Sequence, residues 1–397
     1  MERKLKFTKA NTAAVKGIAI IFLILYHGFS IKSRLYGYPV SFWPLSETTA
    51  MAICRVMVQC VGIFAFLSVY GLTLSMKAQY QDYEFTGHEA TLFVLKRYVK
   101  LVLSFTIPFL FCMGVTYLTH TSRYSDGFSI NLINAGMDFL GLSHLFGTQM
   151  QINTWWYLSL EVLLIFFMPF LVRFYKRYGW LMVFMFLLVG SFMLEKHVHL
   201  TKYLFVAPLA VCFADQNVLE RLKAFCIVKN RFLNKILKLI LCTGILYVLC
   251  KMFNMKWGTD HFEFVLNGTI PVLIVYMSYE FVIEIPGIRQ ILEFIGKHSA
   301  NIFYIHTFIR AVWCKDFTYS LGHVTIIGCP KLDAVDYSEK LTEIIRSNDI
   351  KSVTVLRMEV PCCGGLEHAA ITALKNSGKF IPWNVVTFST DGRILDR

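Results

Sequence analysis

Nine stretches in the first 320 residues are long and nearly unbroken in apolar character: 13–31, 50–76, 98–118, 154–172, 180–194, 201–214, 236–252, 263–283 and 291–311. A helix needs roughly 17–25 apolar residues to cross a bilayer, so the pattern predicts about nine spans. The fifth and sixth runs are short for a crossing. A weaker apolar patch at 136–147 predicts a re-entrant or interfacial segment. Beyond His323 the pattern changes. Val324 to Gly328 reads as a strand, Asp336 to Ser347 as an amphipathic helix and Ser352 to Val360 as a second strand. Leu366 to Asn376 reads as a second helix and Trp383 to Ser389 as a third strand. That alternation predicts a small parallel sheet. The expected fold is therefore an all-α polytopic membrane protein over residues 1–320, followed by a small α/β fragment over residues 324–397.

Composition agrees. The chain is 56% hydrophobic and only 16% charged, with a mean hydropathy of +0.53. A soluble domain has roughly 45–50% apolar and about 25% charged residues. The basic start, Met1 to Lys6, leads into a run too long for a cleavable signal, and no small-residue cleavage site follows. The first span is expected to stay as a signal anchor. The net charge of +13 would point to nucleic acid in a soluble chain. Here the basic residues flank spans, so no nucleic-acid partner is expected. Arg3 to Lys9, Lys77, Lys96 to Lys100, Arg173 to Arg177 and Arg221 to Lys238 fall on one side. Lys32, Arg34, Arg123, Lys196, Lys202, Lys251 and Lys256 fall on the other. The bias puts the N-terminus in the cytoplasm of a multi-pass cell-membrane protein. Nine spans would then leave the tail outside. Eight of the 11 cysteines lie in or near apolar runs without metal spacing and read as small hydrophobes.

Candidate chemistry lies in polar residues within these runs. His27 follows Lys16 by eleven residues, about three helical turns, so both share one face roughly 16 Å apart. Ionisable groups inside a span are costly and mark functional sites by default. With the N-terminus inside, His27, Arg55, Gln59, Glu161, Tyr304 and His306 all fall in the outer half of the membrane and are expected to line one cavity. Each has a plainer reading. A histidine can bond a backbone carbonyl across a helix interface. Arg55 can snorkel, Glu161 can pair with Arg55, and Lys16 can anchor the inner end of its span. Histidine is the usual general base for a hydroxyl. A carboxylate such as Glu161 would fix its tautomer, and Arg55 would hold a developing oxyanion or a phosphate. No Gly-x-Ser-x-Gly elbow, Walker loop or HExxH motif occurs in this part. Hydroxyl activation with an acyl donor arriving from the cytoplasm fits the layout. Proton-coupled transport fits it too, because relays use the same residues.

At these positions the chain resembles the acyltransferase 3 family of membrane O-acyltransferases. The match begins with Val15-Lys-Gly-Ile-Ala-Ile-Ile-Phe-Leu-Ile-Leu-Tyr-His27, where Lys16 stands in place of the usual arginine. It continues with Gly62 to Gly71, where Val69 replaces a glycine, and with the basic stretch Lys96-Arg-Tyr-Val-Lys100. Thr154 to Glu161 and Phe294 to His306 complete it. The resemblance implies transfer of an acyl group, often acetyl, from acyl-CoA to a hydroxyl of an exported glycan or lipid-linked sugar, with His27 as base. Lys16, Lys96 and Arg97 would hold the CoA end, and no metal is implied. The family usually has ten spans, and the tenth is missing where the tail begins.

The tail carries Pro361-Cys-Cys-Gly-Gly365 between its second strand and second helix. A glycine-rich strand-to-helix turn suits an anion. Together with Cys329 the thiols make an incomplete set for zinc or a cluster. Gly328 to Asp333, Lys351 to Glu367 and Ser389 to Leu395 resemble the C-terminal part of clostridial-type ferredoxin-like proteins, whose cluster-binding motifs lie upstream and are absent here. The expectation is a fusion or chimera of two unrelated pieces.

Overall fold

The computed structural model describes residues 6–32, 40–118, 122–124, 127–193, 200–309, 336–348, 350–390 and 394–396. The chain divides into two compact units, Met1–Trp313 and Cys314–Arg397. The change of composition near His323 thus falls inside the second unit.

The first unit is all helical among its described residues. In chain order the helices are α1 (Lys9–Phe29), α2 (Glu47–Val56), α3 (Cys60–Gln79), α4 (Gly87–Leu118), α5 (Phe128–Phe139) and α6 (Ser143–Phe146). They continue with α7 (Trp156–Tyr178), α8 (Leu181–Met193), α9 (Val206–Asp215), α10 (Val218–Ala224), α11 (Arg231–Asn254), α12 (Lys256–Met277), α13 (Ile288–Lys297) and α14 (Ser299–Ile309). Among the described residues, six helices are long and apolar enough to cross a membrane: α1, α2–α3, α4, α7, α11 and α12. They coincide with six of the nine expected runs. The fifth run is the 13-residue α8 and the sixth is a turn plus the 10-residue α9. The weak patch at 136–147 falls on the end of α5 and the short α6.

The ninth run is not one helix. His298 leaves helical geometry (φ −96°, ψ 7°) between α13 and α14. A Cβ on Gly17 would lie 2.2 Å from the Leu292 carbonyl oxygen, and one on Gly296 would lie 1.7 Å from that of Ala13. Gly296 meets Gly17 as His306 meets His27, so α13 and then α14 run alongside α1 in the same sense, with α1 and α13 at near-contact of their backbones. The chain kinks at His298 without turning back, since the Ile302 amide still donates to the His298 carbonyl at 3.1 Å, and α14 runs on along α1 to His27. Hydropathy averaged over a span-length window hides this break. The interruption is paid in sequence by a polar stripe, Arg289, Glu293 and Lys297, that makes α13 amphipathic, with Arg289 and Glu293 paired at 2.6 Å.

Other elements fix the remaining helices around α1 and α3. Thr8 caps α1 by accepting from the Asn11 amide. A 3₁₀ turn, Met57–Gln59, joins α2 to α3. There Gln59 donates to the Asn267 side chain of α12 at 2.8 Å, and Gly62 admits Pro271 of the same helix. α12 ends in a π-turn, Ser278–Val282. α4 and α11 lie at the periphery, with Leu103, Ile107, Leu110, Ile240 and Leu241 exposed.

The second unit contains α15 (Tyr337–Ser347), β1 (Val353–Met358), α16 (Gly364–Ser377), β2 (Trp383–Phe388) and β3 (Ile394–Asp396). β1 pairs parallel with β2, from Val353 opposite Trp383 to Met358 opposite Phe388. The crossover between them is α16, which ends at Gly378 in the left-handed region (φ 72°). β3 adds antiparallel to β2, an element the sequence pattern does not announce. Ile345, Ala373 and Leu374 form the core between α15 and α16. The expected strand at 324–328 and Cys329 lie outside the described residues.

Candidate functional site

His27 stands in the last turn of α1, half-buried, with Nδ1 3.0 Å from the Leu23 carbonyl oxygen. His306, from α14, brings its Nε2 to 3.3 Å from the same Nδ1, and its own Nδ1 lies 2.7 Å from the Phe303 carbonyl oxygen. The two rings are 4.7 Å apart at 63°. α14 is pinned beside α1 by the turn that starts α7. The Trp155 indole donates to the Tyr304 carbonyl at 3.1 Å, and the hydroxyls of Thr154 and Thr307 are 2.7 Å apart.

His27 borders a cavity of about 150 Å³. Its other polar walls are Tyr26, Thr154, Trp156, Lys202 and Tyr203. Trp156 and Tyr203 stack at 5.8 Å, and Lys202 pairs with Glu263 at 3.1 Å. Ligand pockets for drug-sized molecules usually measure roughly 300–1,000 Å³. This one has room for a single small group brought against the histidine, not for a large ligand. Lys202 and the two aromatic rings are site residues that sequence reasoning did not single out. Lys202 reads there as one of the loop charges. The signal that could have found it is its position just before Tyr203, at the entry to an apolar run facing Trp156.

The expected six-residue cavity is only partly assembled. His306 meets His27. Tyr304 is buried against Phe105 and Trp155 instead, and Gln59 is fully buried in its bond to Asn267, although its neighbours Val58 and Cys60 line the cavity. Glu161 forms neither the expected pair with Arg55 nor the expected bond to His27. Its carboxylate accepts from the Tyr157 phenol and, at 2.7 Å, from the Ser68 hydroxyl. The cation that acts on it electrostatically is Lys16. Glu161 thus belongs with the Lys16 end of α1. Arg55 is exposed at the end of α2, with no ion pair among the described residues. The reason is geometric: the 3₁₀ turn at 57–59 turns the side chains of α2 out of the helical phase of α3.

The three residues expected at the CoA end are not gathered into one site. Lys16 is on α1. Lys96 and Arg97 are on α4, which packs on α5, α7 and α14. Lys96 is exposed, and the Arg97 guanidinium lies 5.2 Å from the Phe93 ring. Among the described residues, no group of three or more His, Cys, Asp or Glu side chains is placed to hold a metal. In the second unit, Cys362 is exposed and Cys363 half-buried in the turn before α16.

Away from this end, Asp215 at the end of α9 gathers Lys77, Tyr83 and Tyr175, with the amine at 2.8 Å and the phenols at 2.9 and 2.7 Å. Burial opposes its ionisation. The hydrogen bonds from Lys77, Tyr175 and Tyr83 outweigh that and hold its carboxyl below the usual range. Every oxygen is satisfied by the protein itself, so this cluster is a clamp between helices.

Comparison with known proteins bears on the second unit. A family model described as a Rossmann-like domain matches residues 314–397, the whole of that unit. It is accompanied by no match to the acyltransferase 3 family or to a ferredoxin family. No curated protein and no solved structure matches the chain.

Proposed function

We propose that the first unit is a multi-pass cell-membrane acyltransferase, with its N-terminus in the cytoplasm. In this reading it moves an acetyl group from acetyl-CoA to a hydroxyl of an exported glycan or lipid-linked sugar. The observation that carries the reading is His27, at the wall of a small cavity of mixed polar and apolar lining and backed by His306. His27 takes the proton of the acceptor hydroxyl, the oxygen attacks the thioester carbonyl, the carbon–sulfur bond breaks, and the imidazolium returns the proton to the leaving thiolate. The outward apolar residues of α4 and α11 support a lipid surround. The side bias of Lys and Arg supports the orientation. Lys16, about 16 Å from His27 along α1, then lies towards the donor side, with Lys96 and Arg97 on α4 as further candidates for its phosphates. The second unit is read as a fused piece of α/β protein. Long-read sequencing across the region encoding residues 310–330 tests whether the junction is present in single molecules.

A proton-coupled transporter is the second reading. The interrupted pair α13 and α14 and the π-turn after α12 favour it, because broken helices in a membrane bundle mark transport sites. Full-length protein in sealed vesicles separates the two. Incorporation of labelled acetyl from acetyl-CoA into an envelope glycan fraction supports transfer. Proton movement without incorporation supports transport.

A further inference from the structure

From the geometry of the two imidazoles we infer that His306 is a positioning residue, one that holds His27 in the tautomer able to act as a base. The inference rests on the proposed acyl transfer for its meaning and on hydrogen-bond chemistry for its content. A carbonyl oxygen only accepts. The Phe303 carbonyl lies 2.7 Å from His306 Nδ1, so that nitrogen carries a proton. A neutral imidazole has one N–H, so His306 Nε2 presents a lone pair. That lone pair faces His27 Nδ1 at 3.3 Å, and the Leu23 carbonyl faces the same nitrogen at 3.0 Å. Two acceptors converge on one atom, which assigns the proton to His27 Nδ1. The unprotonated nitrogen of His27 is therefore Nε2, the atom a general base needs.

The opposite tautomer would set a lone pair on His27 Nδ1 against the Leu23 carbonyl and the His306 lone pair. It would also place a proton on the nitrogen that must accept one. When His27 takes the substrate proton, its Nδ1–H becomes a charge-assisted donor to His306, which steadies the cation. This is the task the sequence assigned to Glu161, whose oxygens are engaged by Tyr157 and Ser68. The other titratable groups around the cavity, Tyr26, Cys60, Lys202 and Tyr203, lie along its walls.

The test is nitrogen NMR on full-length protein with labelled histidine in lipid nanodiscs, assigned by comparison with His27→Gln. Wild-type His27 is expected as a single form with Nδ1 protonated. His306→Phe keeps the ring volume but removes the acceptor, and is expected to give a mixture of tautomers. In the transfer assay the same variant is expected to lose kcat on the order of 100-fold, with KM for acetyl-CoA little changed. His306→Gln keeps an acceptor oxygen and is expected to recover both the single tautomer and most of kcat. Wild-type His27 protonated on Nε2, or an unchanged His27 spectrum in His306→Phe, would overturn the inference. The spectrum needs no acyl donor. A predicted spectrum in a protein silent in the assay supports the positioning contact and counts against acyl transfer instead.

Discussion

The two ends of α1 are built in opposite ways. At Gly17 the helix lies backbone to backbone against α13, so close that even a methyl group has no room. At His27, three turns further on, the same helix faces a cavity lined by both polar and apolar side chains. The tight end permits no sliding or rotation, because a small shift would drive main-chain atoms together. For the proposed acyl transfer the open end needs a side chain held to within a fraction of an ångström. A reactive residue on a helix gains its precision from contacts far along that helix. Here those contacts come from the chain segment that also delivers its partner, since α13 grips α1 and α14 carries His306.

Substitutions separate the two ends, and the largest effect belongs to the open one. His27→Ala is expected to lower acyl transfer about 10²–10⁴-fold, the usual contribution of a general base, while the melting temperature stays near that of wild type. Gly296→Leu attacks the tight end. It forces side-chain atoms onto the Ala13 carbonyl and is expected to cost at least the roughly 1–3 kcal/mol of an overpacked core, seen as a lower thermal midpoint in detergent. Activity should fall with it, although Gly296 touches no cavity residue.

Glu161→Gln should act less strongly than either. It spares His27, and the Gln oxygen can still accept from one of Tyr157 and Ser68 while its amide donates to the other hydroxyl, so transfer within about tenfold of wild type is expected. A loss matching that of His27→Ala would place Glu161 in the same catalytic group. Arg55→Gln is expected to be the mildest, within about twofold in activity, because its side chain is solvated and unpaired among the described residues. A steady-state comparison of kcat and KM across the four variants gives the ranking.

The sequence makes the tight end hard to see and the open end easier. His27 stands out because an ionisable side chain inside an apolar run is conspicuous. Its meeting with His306 depends on α13 and α14 lying along α1, and local apolarity carries no information about which helices pack together. The sequence feature that sets α13 apart from α14 is the polar stripe Arg289, Glu293 and Lys297. Gly17 and Gly296 carry no hydropathic signal, and only their partner shows why they are glycine. Depth in the membrane groups Glu161 with His27, whereas its hydrogen bonds go to Tyr157 and Ser68. Helix phase and the turn at Met57–Gln59 decide which side chains face each other. In the second unit the parallel pair and its crossover helix were legible from alternation. The antiparallel β3 is three residues long and too short to show a pattern.

The most direct measurement is release of the CoA thiol from acetyl-CoA by purified full-length protein with an added envelope glycan fraction, run beside His27→Ala. Acyl transfer by His27 predicts glycan-dependent release that disappears in the variant. Release of equal rate from both proteins, or none from a wild-type protein that moves protons across sealed vesicles, would contradict it.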